Sequence, residues 1–314
     1  MRVLVTGGAG FIGSSLVNAL VVSGHDAGII DDLSTGKPEN INPAAWFRGL
    51  DILDPSMPAA VAEFAPEAVV HLAAQVDVQR SIADPERDRR INVDGTAAVA
   101  RAAAAAGARR MLSASSAAVY GEPEMLPLPE SARKRPENPY GASKLAAETA
   151  LYEALDGTGV DFASLRFANV YGPRQDWRGE GGVVAIIAAK LAAGERPVIF
   201  GDGSQTRDFI FVGDVVGAIL AALDSDVALA GELPDGPAYN ISTGSRTSVT
   251  ELVSVLRAVS RVMKESDHLP ARPGDILHSA LDPAKALATF DWRAAQPLES
   301  GIAMTWRWLA AQQR

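Results

Sequence analysis

The sequence feature that most constrains the fold is a glycine-rich turn near the N-terminus. Residues Arg2–Thr6 are mostly apolar and β-branched, which is typical of a buried parallel strand. Gly7, Gly10 and Gly13 follow in a GxxGxxG spacing and lead into a helical run that ends at Ser23. Glycine lets the backbone turn tightly and approach a pyrophosphate, whose charge is favoured at a helix N-terminus. The strand, turn and helix therefore predict a dinucleotide-binding unit.

A pair of aspartates supports this interpretation. The next predicted strand, Ala27–Ile30, ends in Asp31 and Asp32. An acid about 20 residues past the glycines is the group that binds the adenosine ribose hydroxyls. A carboxylate there would repel a 2′-phosphate, so the sequence favours NAD over NADP. The alternative is a tight turn followed by a solvated aspartate pair.

Strands and helices alternate through the first half of the chain. Further buried strands are expected at 45–48, 68–72, 110–116 and 162–167, and helices at 57–64 and 88–106. This alternation predicts an α/β fold with a Rossmann-type, doubly wound parallel sheet and a ligand at the carboxyl ends of its strands.

From Asn169 onward the pattern mixes short strands, loops and helices, as a smaller domain would. We therefore expect an NAD-binding domain made of residues 1–168 plus about 207–232. A smaller C-terminal α/β substrate-binding domain is expected from about 169–206 plus 233–314.

Composition excludes several classes of function. The chain has 314 residues, no cysteine and a net charge of −9. Without cysteine it can form no disulfide and no thiolate metal site, and without a basic run it offers no surface for nucleic acid or anionic membranes. None of the four histidines stands at metal-ligand spacing, so no metal is expected. The N-terminus has no secretory pattern, which favours a cytoplasmic protein.

The candidate catalytic pair is Tyr140 and Lys144. Asn138 and Pro139 precede Tyr140, and proline suits the first turn of a helix. Residues four apart then lie on one helix face. An ammonium beside a phenol lowers the pKa of the tyrosine, which is what a general base near neutral pH requires. The alternative is an ordinary helix that carries YxxxK.

Together, the glycine turn, Asp31, Ser116 and Tyr140-xxx-Lys144 resemble the extended short-chain dehydrogenase/reductase superfamily. Within it, the chain is similar to the nucleotide-sugar 4-epimerases of the UDP-galactose (UDP-glucose) type. The resemblance covers nearly the whole chain. It implies an isomerase that transiently oxidises C4 of a UDP-sugar with tightly bound NAD, and it implies a homodimer built from the helix at 88–106 and the one after Tyr140.

The resemblance also implies roles for individual residues. The catalytic residues would be Ser116, Tyr140 and Lys144. The cofactor-binding residues would be Gly7, Gly10, Phe11, Ile12, Gly13, Asp31, Asp32, Asp51, Ile52, Leu72, Ala73, Ala74, Gln75, Asn92, Ser115, Tyr140, Lys144 and Phe167. The substrate-binding residues would be Ser116, Asn169, Val183, Val198, Phe200, Arg207, Arg272, Asp275 and Ser279.

Some of these roles have a direct physical basis. Arg207 and Arg272 would clamp the diphosphate, since guanidinium pairs bidentately with phosphate oxygens. From the position of a gate residue in related epimerases, the resemblance implies that Ser279 abuts the C2 substituent of the sugar, although a shift of one residue would put His278 there. Serine leaves room for an N-acetyl group, so we expect turnover of UDP-N-acetylglucosamine as well.

The chain departs from the family pattern at two positions and keeps some alternatives open. Ala118 stands where many epimerases have threonine, and Val76 where some members have a lysine. Dehydratases usually carry an Asp-Glu pair at the positions of Ala117 and Ala118, and decarboxylases carry a Glu at the position of Ala118. The two alanines therefore favour epimerisation over elimination.

Two kinds of alternative stay open. UDP-glucuronate, N-acetylated UDP-sugars and dTDP-sugars remain alternative substrates. A non-catalytic NAD sensor is the other alternative, and it would be expected to have lost Tyr140 or Lys144.

Overall fold

The structure is a computed structural model that describes residues 1–178, 182–230, 236–271 and 276–312. Its strands are β1 (Arg2–Thr6), β2 (Asp26–Asp31), β3 (Trp46–Gly49), β4 (Ala68–His71), β5 (Arg110–Ser116), β6 (Asp161–Phe167), β7 (Asn169–Tyr171), β8 (Val198–Phe200), β9 (Thr206–Arg207), β10 (Phe209–Phe211), β11 (Ala238–Ile241), β12 (Thr247–Ser248) and β13 (Asp267–Leu269). Its α-helices are α1 (Phe11–Val22), α2 (Met57–Phe64), α3 (Val78–Ala83), α4 (Pro85–Arg89), α5 (Gly95–Ala105), α6 (Pro139–Leu155), α7 (Val183–Ala192), α8 (Val212–Asp224), α9 (Val249–Ser260), α10 (Ala284–Phe290) and α11 (Leu298–Gln312).

Seven of the strands form one parallel sheet in the order β11-β6-β5-β4-β1-β2-β3. The chain moves outward from β1 to one edge and then from β4 to the other, so the strand order reverses between β1 and β4. The connections diverge at this point and leave a crevice at the carboxyl ends of the strands, where ligands bind in open α/β sheets. The predicted doubly wound parallel sheet is confirmed.

Helices cover both faces of this sheet. Alternate residues of β1 show the division, because Val3 and Val5 pack in one buried cluster with α1 and α8, whereas Leu4 packs in another with α2, α5 and α6. A strand buried on both faces needs apolar residues at nearly every position. This explains why β1 and β4 read as continuous apolar runs.

A third apolar core belongs to the C-terminal half. Helices α7, α9 and α11 enclose buried residues that include Ile199 of β8 and Phe209 of β10. Three two-stranded sheets accompany them: β7 with β10, β8 with β13 and β9 with β12. Within the described ranges, no helix combines the length and apolarity that crossing a bilayer requires.

Two elements differ from the sequence-based expectation. The helix expected at 88–106 starts earlier, at Pro85, because Asp84 caps it by accepting from the Arg87 amide at 3.0 Å, and it contains a π-helical turn at Arg90–Asp94. Strand β11 was expected in the smaller domain but pairs with β6 at the edge of the large sheet. Its Tyr239 and Ile241 are buried in the α1 and α8 layer, which keeps the strand there.

Candidate active site

The glycine turn is packed closely against the end of β4. Gly7 has a φ of +72°, and a Cβ added there would lie 2.7 Å from the amide nitrogen of Ala73. A Cβ at Gly13 would overlap the carbonyl oxygen of Gly7. Gly10 is different, since its added Cβ would meet only that same carbonyl oxygen, at 3.2 Å. Gly7 and Gly13 are therefore needed for packing, whereas Gly10 keeps the space before α1 clear.

The start of α1 offers backbone donors to an anion. Gly10 is the N-cap residue and provides no side-chain cap, and the first turn carries no acidic residue. The first N–H groups of a helix have no partner within it, and the helix dipole places positive charge there. Phe11, Ile12 and Gly13 contribute these N–H groups, at the crevice between β1 and β4.

The two aspartates after β2 have different environments. Asp31 is buried and accepts hydrogen bonds from the amides of Ala9 and Leu33, both at 2.9 Å, and burial raises the pKa of its carboxyl. It therefore lies directly beside the glycine turn. Asp32 is exposed and accepts from the amide and hydroxyl of Ser34. Asp31 therefore contacts the glycine turn, whereas the described hydrogen bonds of Asp32 are made to Ser34.

The other residues expected near the adenine lie after β3. Asp51 is exposed and accepts from the Leu53 amide at 2.8 Å. Ile52 is buried, and a Cβ added to Gly95 would lie 2.5 Å from its Cδ1 atom, so Ile52 packs on the start of α5. Neither position contradicts a role at the adenine, and both roles stay predictions.

The expected catalytic helix forms as the sequence predicts. Asn138 caps α6 by accepting from the Gly141 amide at 2.9 Å, and Pro139 occupies the first turn. The half-buried Tyr140 donates its amide to the Ser81 hydroxyl at 3.1 Å. Lys144 is buried and its Nζ donates to the carbonyl oxygen of Ala114 in β5 at 3.0 Å. Burial lowers the pKa of Lys144 to about 8, and the charges of Asp88 and Glu148 oppose that shift.

Ser116 lies at the carboxyl end of β5, next to the start of α6. A Cβ added to Gly141 would lie 2.5 Å from the carbonyl oxygen of Ala118, so the helix start abuts the turn that follows Ser116. The Ser116 hydroxyl accepts from the Ala118 amide at 3.2 Å. Phe167, at the end of β6, is the register partner of Ser116. The structure thus brings the segments that carry Ser116, Tyr140 and Lys144 together at the carboxyl end of β5.

A buried polar network supports the loop after β4. The Asn92 side chain accepts from the Gln75 amide at 2.9 Å and donates to the Gln75 carbonyl oxygen and to the Ser143 hydroxyl, both at 3.0 Å. Gln75 in turn donates its Nε2 to Asp88 at 2.6 Å. Asn92 therefore ties the loop of Leu72, Ala73, Ala74 and Gln75 to α6.

A second buried network lies under the end of β5. Arg166 pairs with Glu148 through two hydrogen bonds of 2.9 and 2.7 Å, and it also donates to the Tyr120 hydroxyl at 2.9 Å. Ser115 donates its hydroxyl to the same glutamate. Glu148 stands four residues after Lys144 and so shares its helix face. Through Glu148, the strand carrying Ser115 and Ser116 is held against the helix carrying Lys144.

The residues expected to bind substrate lie in the C-terminal half. Val198 and Phe200 are half-buried and flank the buried Ile199 in β8, so they face the opposite side of that strand. Ser279 donates its amide to the Thr206 carbonyl oxygen at 3.1 Å, which places it beside the half-buried Arg207.

Of the four remaining predicted substrate residues, two have a described position and two do not. Asn169 is exposed at the start of β7, and Val183 is the first residue of α7. Arg272 and Asp275 lie outside the described residues, so the expected pairing of Arg207 with a second phosphate-binding arginine stays a prediction.

Comparisons with known proteins identify the family. The model of the NAD dependent epimerase/dehydratase family matches residues 3–242. The chain belongs to this family. It is 42% identical over 311 residues to a UDP-glucose 4-epimerase from Mycolicibacterium smegmatis, covering 97% of each chain. The predicted family membership is confirmed.

Two solved structures share the architecture of this chain over nearly its whole length. A UDP-glucose 4-epimerase from Thermotoga maritima, crystallised with UDP-glucose, has a TM-score of 0.94 at 37% identity and covers 100% of both chains. A UDP-glucose 4-epimerase from Thermus thermophilus, in complex with NAD, has a TM-score of 0.90 at 37% identity and covers 98% of this chain and 99% of that one.

Several supporting residues of this epimerase/dehydratase family member escaped the sequence analysis. Ser81 accepts from the Tyr140 amide, Ser143 accepts from Asn92, and Asp88 accepts from Gln75. For Glu148 a signal existed, since it follows Lys144 by four residues on a helix that was already predicted. For Asp88 there was one as well, since it precedes Asn92 by four residues on the predicted helix at 88–106. For Ser81 there was none, because its contact with Tyr140 joins segments that are distant in sequence.

Proposed function

We propose that the chain is an NAD-dependent nucleotide-sugar 4-epimerase that interconverts UDP-glucose and UDP-galactose. The observation that carries the proposal is the buried Lys144 of α6, whose Nζ donates to the Ala114 carbonyl oxygen of β5. The same helix carries Tyr140 in its first turn and abuts the turn that follows Ser116. A relative with 42% identity over nearly its full length is a UDP-glucose 4-epimerase.

The glycine turn fits the pyrophosphate of NAD. Gly10 leaves the N-terminus of α1 clear, and the uncapped first-turn N–H groups of that helix suit a doubly charged anion. Asp31 lies one loop away, where a carboxylate can accept hydrogen bonds from ribose hydroxyls. Bound NAD would supply a hydride acceptor, and then a hydride donor, at C4 of the sugar.

The proton chemistry belongs to Tyr140. As a phenolate, Tyr140 can accept the proton of the sugar 4-hydroxyl and return it after the sugar has presented its other face. The Ser116 hydroxyl would hydrogen-bond the same sugar oxygen. The Lys144 ammonium favours the phenolate electrostatically. No proton is gained or lost over the cycle.

The composition of the Ser116 turn favours epimerisation over elimination. A dehydratase needs further acid and base groups, and a decarboxylase of this superfamily carries a glutamate beside the hydroxyl residue. Here the residues are Ala117 and Ala118, which cannot transfer a proton. UDP-glucuronate and UDP-N-acetylglucosamine are the alternative substrates for the same reaction.

Incubating the purified protein with UDP-galactose tests the proposal. Proton NMR of the anomeric signals should show UDP-glucose formed without added NAD, and a panel of UDP- and dTDP-sugars ranks the alternatives. An unsaturated or decarboxylated product would assign a lyase instead. Failure to convert any nucleotide sugar would remove the proposal.

The identity of the cofactor can be tested separately. Because the Asp31 carboxylate would repel a 2′-phosphate, we expect the purified protein to release NAD(H), not NADP(H), when it is denatured and its nucleotides are separated by chromatography. Asp31→Asn removes that charge and should weaken the preference. Release of NADP(H), or an empty protein that needs added NADP, would contradict this expectation.

We also infer that the protein works as a homodimer. The proposed contact joins the helical region from Pro85 to Ala105 with α6 and their copies in a second subunit, where alanine-rich surfaces permit close helix packing. A cytoplasmic location stays a prediction.

A further inference from the structure

Asp88 is a buried acid whose position is not explained by packing alone. It is 1% exposed. Its Oδ1 accepts from Gln75 Nε2 at 2.6 Å and from Asn92 Nδ2 at 3.3 Å. Its Oδ2 is buried and has no hydrogen-bond partner in the described part of the chain. Burying a carboxylate with unused acceptor capacity is unfavourable, so a neutral residue would serve the fold better at this position.

The charge of Asp88 is also not neutralised by a direct ion pair. Among the described residues, none of the ion pairs includes Asp88. Arg80 and Arg87 line the same small cavity as Asp88, with a volume of about 130 Å³, but both are exposed to solvent, which screens their charges.

The Asn92 amide that donates to Asp88 also donates to Ser143, the residue before Lys144 on α6. The buried cation on which the Asp88 charge acts is Lys144. Helix α4 packs against α6, and burial lowers the pKa of Lys144 to about 8, with Asp88 the larger of two opposing influences and Glu148 the smaller. Glu148 is already paired with Arg166 at 2.7 Å. Asp88 is therefore the carboxylate near Lys144 that has no cation of its own.

We propose that Asp88 is a positioning residue for the reaction, whose carboxylate charge keeps the buried Lys144 an ammonium and so keeps Tyr140 able to ionise. This inference rests on the proposed roles of Tyr140 and Lys144. Asp88 touches neither the sugar nor the reacting atoms in this role. It acts through Lys144, and its link to Gln75 and Asn92 fixes where the charge stands.

The other titratable groups around Lys144 do not replace this charge. On α6 these groups are Tyr140 and Glu148. Tyr140 is the group that must ionise, and the Glu148 carboxylate already accepts hydrogen bonds from Arg166 and Ser115. On β4, His71 is fully buried between the hydroxyls of Thr6 and Thr96, and burial lowers its pKa to about 3. His71 is therefore neutral and adds no charge of either sign.

Loss of the Asp88 charge should lower the pKa of Lys144. Lys144 carries its charge at pH values below its own pKa. Removing the negative charge of Asp88 disfavours the ammonium and moves the titration of Lys144 to lower pH. The alkaline limb of the kcat profile, where Lys144 loses its proton, should move in the same direction. KM should change little, because Gln75 and Asn92, to which Asp88 is hydrogen-bonded, are predicted to bind the cofactor and not the UDP.

Asp88→Asn tests the proposal, since it keeps the shape and the acceptor for Gln75. Protein labelled with ¹³C at lysine Cε allows each of its six lysines to be followed by NMR as pH is raised, and Lys144→Arg assigns the relevant signal. We expect Asp88→Asn to lower the Lys144 midpoint by about one pH unit or more. Because the readout is the lysine signal, it is independent of whether the protein turns over UDP-galactose.

Asp84→Asn is the matched control. Asp84 is exposed one turn before Asp88 and caps α4, and asparagine is an equally good cap, so the same charge is removed without loss of the helix. Its Lys144 midpoint should stay at the wild-type value. Asp88→Ser provides a second neutral variant if Asp88→Asn does not fold.

Three results would overturn the proposal. The first is an unchanged Lys144 midpoint in a folded neutral variant of Asp88. The second is an equal shift in Asp84→Asn, which would mean that Asp88 has no special position. The third is a wild-type midpoint below pH 7, since the ammonium would then be absent at neutral pH even with Asp88 present. Failure to epimerise any sugar while the midpoint still shifts would instead remove only the proposed function.

Discussion

Tyr140 is the residue on which the proposed chemistry depends most directly. Tyr140→Phe removes the phenol oxygen and leaves the helix cap at Asn138 and the Lys144 contact with Ala114 intact. We expect kcat to fall by at least about 10²-fold, the usual scale for losing a general base. Substrate affinity should change little, because the predicted UDP-binding residues lie in the other half of the chain.

Product formation, measured by NMR in samples quenched at fixed times, and a separate UDP-sugar binding titration check this prediction. Ser116→Ala should also lower kcat, through loss of the hydrogen bond to the same sugar oxygen. Turnover close to wild type in Tyr140→Phe would exclude the tyrosine as the base.

Ser279 is the residue expected to set the tolerance for substituents at C2 of the sugar. The ring of the neighbouring His278 contacts the Thr206 hydroxyl at 3.0 Å, and adjacent side chains of an extended segment point in opposite directions. The Ser279 side chain is thus directed away from Thr206, which favours Ser279 over His278 as the residue at the sugar. A small side chain there leaves room for an N-acetyl group.

We therefore expect UDP-N-acetylglucosamine and UDP-glucose to differ by no more than about tenfold in kcat/KM, or about 1.4 kcal/mol. Ser279→Tyr should suppress the N-acetylated substrate by steric overlap and spare UDP-glucose. His278→Tyr is the matched variant and should not produce that selectivity. An unchanged substrate ratio in Ser279→Tyr would show that the serine does not face C2.

Among the elements, the glycine turn before α1 separates a packing requirement from a binding requirement. A Cβ at Gly13 would overlap the Gly7 carbonyl oxygen, whereas a Cβ at Gly10 would meet that atom only at 3.2 Å. Gly13→Ala should therefore destabilise the fold by roughly 1–3 kcal/mol, as overpacking does. Gly10→Ala should fold with nearly wild-type stability and bind NAD more weakly, since its methyl group enters the phosphate space.

Urea unfolding of the NAD-free proteins and calorimetric titration with NAD measure the two effects. Each variant serves as the control for the other, because both Gly13→Ala and Gly10→Ala add one methyl group to the same turn. Equal stability losses in both variants would contradict the assignment, as would wild-type NAD affinity in Gly10→Ala.

The inner strands of the large sheet, such as β1 and β4, were predictable because nearly all of their residues are buried, which gives a continuous apolar run in the sequence. The shorter elements were not. Strand β13 is only Asp267–Leu269 and is exposed throughout, so its sequence carries no apolar alternation, and its pairing with β8 depends on tertiary contact. The π-helical turn in the helix after Pro85 has no local signal either.

The candidate site shows the same division between local and distant information. Tyr140, Lys144 and Asp31 could be predicted because their spacing from each other or from the glycines is short and regular. The contacts that support them, such as Asp88 with Gln75 or Arg166 with Glu148, join different strands and helices. Such contacts leave no periodic pattern in the sequence.

For the whole molecule, the inference of a homodimer makes a specific prediction about the outer face of α6. Ala146 is exposed on this helix, and Tyr152, 48% exposed on a neighbouring face of the same helix, adds an aromatic side chain of the kind enriched at interfaces. We expect light scattering at micromolar concentration to give twice the chain mass. Ala146→Arg should give the monomer mass, because the contact would bury an unpaired charge.

Ala258→Arg is the control, since Ala258 is exposed on α9, outside the proposed contact, and should leave the dimer intact. Both substitutions add the same charge to a helix surface, so a difference between them reports on position alone. A wild-type protein that is monomeric at micromolar concentration would remove the inference. A dimer that survives Ala146→Arg and dissociates in Ala258→Arg would move the contact to the smaller, C-terminal core, and the catalytic helix would then have no part in assembly.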